Sequence, residues 1–242
     1  MRITRVYIDQ EISNGQSLTL SDNAHRHLTQ VLRLKTGDPC TIFNGNGYDY
    51  SAIISSCDKR HTEVQITDIS DREPPPDMEL HLAVGISRGE RMDYVVQKSV
   101  ELGVHSITPL FTERTNVKLK DKRLDKRMEH WQGVIISACE QSGRSYVPTL
   151  NPAQTLDAWL ESKPTNGLLL DHRSEQTLSS LKKPNKQLSL LVGPEGGLSE
   201  KERSKAAMVN FQGIRLGPRV MRTETAPLAA LAAIQTIWGD FN

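Results

Sequence analysis

Cysteine is scarce in this sequence, and the residues present are not placed to cross-link the chain or to hold a metal. Cys40, Cys57 and Cys139 lie far apart, and no two of them form a C-x-x-C pair. An odd number of scattered cysteines predicts neither a disulfide framework nor a zinc site. We therefore expect a cytoplasmic protein that binds no metal.

Long apolar runs are also lacking. The first residues, MRITRVYIDQ, have no apolar secretory core, and no run reaches the roughly 18 residues that cross a bilayer. The longest run, APLAALAAIQTIW, is broken by Gln235 and Thr236 and is typical of a core helix. With 242 residues, 37% of them hydrophobic, we expect a soluble globular protein of one or two domains without a membrane partner.

Net charge is nearly absent as well, since the formal charge is only +1. This balance provides no overall attraction to nucleic acid. Any nucleic-acid site must therefore come from a local basic patch.

A proline-rich stretch, DREPPPDMEL, divides two patterns. Three consecutive prolines favour a stiff, extended spacer, so we place a domain boundary near residues 73–77 and predict domains over 1–72 and 77–242. Before the boundary, short β-like runs surround one helical stretch, SDNAHRHLTQVLRL, and the NGNG sequence at 44–47 indicates a hairpin. This pattern predicts a small β-barrel.

After the boundary, apolar strand candidates alternate with helical segments. The segment 124–138 has apolar residues at helical spacing, and Gly103 is a plausible end for the helix before it. Repeated alternation of this kind indicates an α/β domain with a parallel sheet covered by helices. The strand candidates are ELHLAVGI, SITPLF, NGLLLDH, LSLLVG and GIRLG.

Three strand ends carry unusual sequences: LLLDHRSE, LLVGPEGGLSEKE and IRLGPRVMRTETA. In open α/β sheets, ligands bind beyond the carboxyl ends of the strands. In the second sequence, glycines allow close approach to a ligand, and Ser199 with Glu202 forms a capping box that predicts a helix from about residue 200. Neither a Walker A loop nor G-x-G-x-x-G is present, so a plain Gly-rich turn explains this loop as well as a phosphate cradle does.

The third strand end joins a polar cluster to the apolar run. Thr223 or Thr225 can cap the following helix, and Pro227 suits its first turn. Capping explains one threonine but not Arg222 and Glu224 as well. Taken alone, these two charges are either a surface ion pair of little energetic value or a chemical site.

Together, GPEGGLSEKE and LGPRVMRTETAPLAAL resemble the paired C-terminal signature of the RsmE family. The stretches HRHLTQVLRLKTGD, QKSVELGVHSITPLFTERT and ACEQSGRSYVP resemble it too, so the likeness spans nearly the whole chain. Members are SPOUT-class enzymes that use S-adenosylmethionine to methylate N3 of one uridine in 16S ribosomal RNA of the small subunit. The resemblance implies an N-terminal PUA-like β-barrel, a C-terminal α/β domain with a deep trefoil knot, and a homodimer.

The resemblance also implies roles for residues at the three strand ends. Arg222 is our candidate for stabilising charge on a uracil oxygen, and Glu224 is the candidate base, with Glu195 as its rival. The predicted cofactor-binding residues are Leu169, Leu170, Gly193, Gly197, Leu216, Gly217, Met221, Thr223 and Thr225.

Basic residues in both predicted domains could form the local patch that RNA binding requires. Each could equally be a solvated surface charge. The candidates are Arg2, Arg5, Arg26, Arg33, Arg88, Lys98 and Arg114, and Lys35 and Arg91 carry similar charges nearby.

The sequence leaves two alternatives open. One is a SPOUT enzyme that methylates a ribose 2′-hydroxyl, although the N-x-G-x-x-x-R type of motif is not found in the sequence. The other is a non-catalytic RNA-binding protein on the same scaffold, against which the intact GPEGG and RTETA sequences argue. Binding of S-adenosylmethionine would separate this second alternative from an enzyme.

Overall fold

A computed structural model describes residues 4–117, 121–162 and 164–241. Contacts within the chain divide it into two compact units. The first comprises Met1–Pro75 with Cys139–Val147, and the second comprises Pro76–Ala138 with Pro148–Asn242. The sequence boundaries of 1–72 and 77–242 assign 139–147 to the second domain, since no composition change marks that segment.

The first unit contains a five-stranded sheet around an apolar core. Its strand order is β1-β3-β4-β5-β2, with β1 parallel to β3 and the other pairs antiparallel. Side chains along β4 alternate between buried and exposed, so one face of the sheet packs on the core. The strands are β1 (Arg5–Tyr7), β2 (Ser17–Thr19), β3 (Pro39–Phe43), β4 (Tyr50–Cys57) and β5 (Thr62–Ile69).

The NGNG sequence connects β3 to β4, which confirms the predicted hairpin. Gly45 and Gly47 have φ values of 88° and 91°, in the left-handed region that favours glycine. The Asn46 side chain accepts the Tyr48 N–H at 3.0 Å. A Cβ on Gly47 would lie 2.4 Å from the Tyr146 ring, so only glycine lets that ring pack on the turn.

The helical stretch of the first unit is shorter than the sequence pattern predicts. A regular helix, α1, covers only Asp22–Arg26, and a π-helical turn follows at His27–Val31. Ala24 and Leu28 anchor this segment in the core of the sheet. The chain leaves the helix at Arg33, whose φ is 57°.

The second unit contains a seven-stranded sheet in which every recorded pairing is parallel. This confirms the α/β class with a parallel sheet. The order is β12-β10-β11-β6-β7-β8, with β9 also beside β7. The strands are β6 (Glu79–Gly85), β7 (Ser106–Phe111), β8 (Thr149–Leu150), β9 (Gln154–Thr155), β10 (Gly167–Leu170), β11 (Gln187–Val192) and β12 (Gln212–Ile214).

The helices of this unit follow the predicted alternation, with one exception. After β10 the expected helical segment is only a 3-10 turn at Leu178–Ser180. Gly103, with φ of 80°, lies just beyond the end of α2, as predicted. The helices are α2 (Glu90–Glu101), α3 (Lys122–Ser142, of which residues 139–142 are grouped with the first unit), α4 (Leu156–Glu161), α5 (Glu200–Met208) and α6 (Thr225–Trp238). Among the described residues, no helix is both long and apolar enough to span a bilayer.

The strand order brings the three unusual strand ends together. β10 lies between β11 and β12 and is parallel to both, so their carboxyl ends meet at one edge of the sheet. The ends of β10 and β12, Leu170 and Ile214, thus become neighbours although they are far apart in the chain. The deep trefoil knot, with which this strand order is consistent, stays a prediction of the family resemblance.

Candidate active site

A cavity of about 240 Å³ opens at the shared carboxyl edge of β10, β11 and β12. This is the edge at which α/β sheets bind ligands. All of the predicted cofactor-binding residues except Thr225 line it, namely Leu169, Leu170, Gly193, Gly197, Leu216, Gly217, Met221 and Thr223. The residues thus meet at one cavity, and their role there remains a proposal.

Glycines allow the loops around the cavity to pack closely. A Cβ on Gly85 would approach Pro194 to 2.5 Å, and a Cβ on Gly193 would lie 2.8 Å from the Leu198 backbone nitrogen. By contrast, Gly197 and Gly217 adopt φ values of 66° and 74°, and a Cβ on either would meet no atom within 4 Å. The backbone at these two positions is therefore open to a ligand.

The loop after β11 is fixed by the start of α5. Ser199 accepts the Glu202 N–H at 3.2 Å, and the Glu202 carboxylate accepts the Ser199 N–H at 2.8 Å, which confirms the predicted capping box. The same carboxylate accepts the Glu113 N–H at 2.8 Å, and Glu202 is buried. One side chain thus ties the β11 loop to the segment that follows β7.

Asp171, at the end of β10, has a structural role that the sequence did not suggest. Its carboxylate lies 3.3 Å from the Arg173 guanidinium and 3.3 Å from the Arg203 Nε, and it accepts the Arg173 N–H at 3.0 Å. Arg203 also donates to the Leu198 carbonyl at 2.7 Å. Asp171 lies within the quoted LLLDHRSE sequence, but Arg203 is thirty-two residues away and gave no local signal.

Glu195, in the middle of the GPEGG loop, is held as a carboxylate. Its Oε1 accepts the Arg88 N–H at 3.0 Å and the Arg91 guanidinium at 3.4 Å. Partial burial opposes ionisation, but the hydrogen bonds from the backbone N–H groups of Arg88 and Glu195 and the charge of Arg91 outweigh it. The pKa of Glu195 is therefore below its ordinary value.

Arg91 contacts both rival glutamates. In addition to Glu195, its Nε lies 3.9 Å from the Glu224 carboxylate. Arg91 is in the first turn of α2, so the loop after β6 joins the other strand ends through this residue. The sequence showed Arg91 only as one of several basic residues.

The polar cluster before α6 is arranged differently from the capping prediction. The helix begins at Thr225 with Glu224 at its N-cap, and no side chain caps it. The prediction that Thr223 or Thr225 caps α6 is therefore wrong, because the Arg222 carbonyl instead accepts the N–H groups of Thr225 and Ala226, both at 3.0 Å. Pro227 lies in the first turn, as predicted.

The two proposed catalytic residues lie beside the cavity. Neither Arg222 nor Glu224 lines the cavity. Their chain neighbours Met221 and Thr223 do line it, so both residues directly adjoin the cavity wall. The Arg222 side chain is exposed and Glu224 is half-buried. Both groups are thus accessible to a ligand that approaches from solvent.

The basic residues suggested for RNA binding have different surroundings. The Arg5 side chain is only 9% exposed, and it pairs with Asp49 and donates to the Arg144 carbonyl at 3.1 Å. We therefore leave Arg5 out of the RNA contacts proposed below. Arg2 lies outside the described residues. The exposed candidates are Arg26, Arg33, Arg88 and Arg114, and half-buried Lys98 pairs with Glu101 at 2.8 Å.

A second, larger cavity of about 940 Å³ is lined by residues near the amino ends of β10 and β11. Lys182 is the one ionisable residue among its described lining residues. Because ligands of α/β sheets bind at the opposite edge, size alone does not make this cavity the active site. Among residues 4–117, 121–162 and 164–241, no cluster of three His, Cys, Asp or Glu side chains could hold a metal ion.

Sequence profiles of two families match the chain. A profile described as an RNA methyltransferase domain matches residues 73–235. A profile described as an RNA methyltransferase PUA domain matches residues 14–67, within the first unit.

Individual relatives agree with the profiles. Ribosomal RNA small subunit methyltransferase E of Buchnera aphidicola subsp. Acyrthosiphon pisum is 34% identical over 100% of this chain and 96% of its own length. The same-named protein of Bacillus subtilis is 28% identical over 93% of this chain and 92% of its own length.

Solved structures give the same result. That of ribosomal RNA small subunit methyltransferase E from Neisseria gonorrhoeae, bound to S-adenosyl methionine, has a TM-score of 0.93 at 39% identity, with both chains fully covered. A Legionella pneumophila methyltransferase, solved in complex with the same cofactor, has a TM-score of 0.97 at 38% identity, again with full coverage. The chain therefore belongs to the RNA methyltransferase family of ribosomal RNA small subunit methyltransferase E.

Proposed function

We propose that this protein transfers the methyl group of S-adenosylmethionine to N3 of one uridine in 16S ribosomal RNA of the small subunit. The observation that carries the proposal is the meeting of the GPEGG and RTETA strand ends at one cavity, on a chain whose relatives are named as small-subunit RNA methyltransferases. The RsmE resemblance supports N3 of uridine as the methylated position.

The cavity suits the proposed cofactor. S-adenosylmethionine, when bound, supplies an electrophilic methyl group on a sulfonium. Gly197 and Gly217 leave backbone open at the cavity, and Leu169, Leu216 and Met221 provide apolar wall. Such a combination of exposed backbone groups and apolar surface can recognise adenosine, and two related structures contain this cofactor. The remaining proposed contacts are Leu170, Gly193, Thr223 and Thr225.

The chain's own residues must orient the uracil and manage its charge. Fixing two reacting groups in the correct geometry removes roughly 7–11 kcal/mol of the barrier. Loss of the N3 proton places negative charge on the flanking oxygens, and a guanidinium next to them stabilises that charge. Arg222, exposed beside the cavity, is suited to this role.

The contacts favour Glu224 over Glu195 as the proton acceptor. Oε1 of Glu195 already accepts hydrogen bonds from the Arg88 N–H and the Arg91 guanidinium. The pKa of Glu195 is lowered, so its carboxylate is a weaker base. Glu224 has a single recorded side-chain contact among the described residues, with Arg91 at 3.9 Å. It also directly precedes α6, two residues from Arg222.

In this proposal, both domains of the chain contribute RNA contacts. The PUA-like domain, 1–72, helps to hold RNA through Arg26 and Arg33, and the catalytic domain, 77–242, contributes Arg88, Lys98 and Arg114. The family resemblance further suggests a cytoplasmic homodimer. Ile237, on the last turn of α6, is 46% exposed and provides apolar surface for a partner copy, which sedimentation analysis would detect.

The test is methyl transfer from labelled cofactor to small ribosomal subunits isolated from a strain without this enzyme. We expect one labelled nucleoside, N3-methyluridine, at one position of 16S RNA. Label on a ribose 2′-oxygen would instead indicate the 2′-hydroxyl branch of the SPOUT class. Absence of both label and cofactor binding by calorimetry would indicate a non-catalytic RNA-binding protein.

A further inference from the structure

The residues that line the cavity carry more positive charge than the binding of the proposed cofactor requires. Among the described residues, five arginines line the cavity against two carboxylates, those of Asp171 and Glu195. S-adenosylmethionine itself has a net positive charge, because its sulfonium and ammonium groups outnumber its carboxylate. An excess of guanidinium groups would repel it, so this excess fits a polyanion that reaches the same cavity.

Three of the five arginines already serve contacts within the protein. Arg173 and Arg203 pair with Asp171 at 3.3 Å each. Arg114 donates to the Gly196 carbonyl at 2.9 Å, and a Cβ on Gly196 would lie 2.9 Å from the Arg114 Cβ. These three guanidinium groups therefore fix the loops around the cavity.

Arg215 and Arg219 are different. Both side chains are exposed, and within the described part of the chain neither guanidinium takes part in a hydrogen bond or ion pair, although the Arg215 backbone N–H donates to the Gln176 carbonyl at 2.9 Å. They lie on either side of Leu216 and Gly217, two of the proposed cofactor contacts. Their guanidinium groups thus line the cavity, and the N–H donors of these groups remain available to a ligand.

We propose that Arg215 and Arg219 bind phosphate groups of the RNA strand, next to the nucleotide that enters the cavity. A guanidinium presents paired donors that match two phosphate oxygens, which makes arginine well suited to this contact. The inference rests on the proposed function, and it assigns RNA-backbone binding to two residues of the same strand end that carries Arg222.

The test measures RNA binding without catalysis. Full-length protein is titrated into a fluorescein-labelled, mixed-sequence single-stranded RNA without cofactor, and the dissociation constant is measured by anisotropy between 50 and 300 mM salt. Each phosphate contact on a single strand contributes about −0.7 to the slope of log affinity against log salt. The variants are Arg215→Gln, Arg219→Gln, the double variant and Arg215→Lys.

A matched control removes the same charge elsewhere. Lys183 is exposed on the segment that precedes β11, at the amino end of that strand, so Lys183→Gln changes net charge equally at the edge opposite the cavity. Calorimetry with S-adenosylmethionine is the second readout, and the two glutamine variants are expected to bind the cofactor at least as well as the wild-type protein.

The expected result is that each single glutamine variant lowers the magnitude of the slope by about 0.7 and weakens low-salt binding about fivefold to tenfold. Lys183→Gln and Arg215→Lys keep the wild-type slope. An unchanged slope in the double variant, with methylation by the wild-type protein intact, overturns this inference alone. Loss of slope in the variants without any methylation by the wild type would overturn the proposed function and leave the inference standing, whereas absence of RNA binding by the wild type would overturn both.

Discussion

The Arg91 guanidinium lies 3.4 Å from the Glu195 carboxylate and so links the first turn of α2 to the loop after β11. The Arg88 N–H strengthens this link with a 3.0 Å hydrogen bond to the same oxygen. Two segments separated by about a hundred residues are thereby fixed beside the cavity.

The first prediction concerns acid sensitivity. Because the pKa of Glu195 is lowered in the folded protein, its carboxylate contributes stability above the ordinary glutamate pKa of about 4.3, and that stability is lost as the pH falls through the lowered value. Glu195→Gln removes this pH-dependent contribution to the free energy of unfolding. Urea unfolding at pH 7 and pH 3.5 should show a smaller acid-induced loss in the variant, with a difference below about 1 kcal/mol because the group is partly exposed. Equal losses in both proteins would contradict this assignment.

A second prediction concerns the packing of the GPEGG loop on β6. Gly85→Ala forces a Cβ to within 2.5 Å of Pro194, so backbone must shift. We expect a loss of about 1–3 kcal/mol in unfolding free energy, together with weaker cofactor binding. Gly213→Ala is the control, since its Cβ would meet only ordinary contacts at 3.5 Å or beyond in strand β12. Equal unfolding free energies and cofactor affinities in the two variants would show that the close approach of Gly85 to Pro194 is unimportant.

The third prediction concerns Glu202, which accepts two N–H groups in a buried position. Glu202→Ala leaves both donors without a partner, and each unsatisfied donor costs about 1–3 kcal/mol. We expect a loss of roughly 2–6 kcal/mol in the free energy of unfolding, measured by thermal or urea unfolding. Glu200→Ala removes an exposed glutamate from the same helix and should change stability by less than about 0.5 kcal/mol. A loss in the Glu202 variant no larger than in the control would refute the role of these bonds.

The fourth prediction separates the two candidate bases. If Glu224 accepts the N3 proton, Glu224→Gln lowers kcat by on the order of 10²–10⁴ and removes the acidic limb of the pH–rate profile. Glu195→Gln, measured under the same conditions, should keep that limb. A small loss independent of pH in the Glu224 variant would assign the proton to Glu195 or to solvent.

Local signals in the sequence predicted much of this fold. The Ser199–Glu202 spacing located the start of α5, Gly103 marked the end of α2, and the NGNG sequence located the β3–β4 hairpin. Each of these depends on residues within a few positions of one another. The α6 cap was predicted wrongly because main-chain hydrogen bonds to the Arg222 carbonyl replaced the expected threonine cap.

What the sequence could not show depends on distant residues. The Asp171–Arg203 pair and the bond from Glu113 to Glu202 each join a loop to the first turn of α5, and only the strand order brings these segments together. β8 and β9 contain two residues each, too few for a periodic pattern. Residues 139–147 are grouped with the first unit although α3, the helix that contains the first of them, begins in the second unit, and no periodicity in the sequence indicates this change.

We propose that methyl transfer takes place at the strand end that carries Arg222, beside the cavity at the carboxyl edge of β10, β11 and β12. The most direct test of this proposal compares Arg222→Ala with the wild-type protein in single-turnover methylation of small subunits and in calorimetric binding of S-adenosylmethionine. We expect methylation to fall below detection in the variant, whereas its cofactor affinity and unfolding temperature stay close to the wild-type values. Normal turnover by a folded Arg222→Ala protein would contradict it.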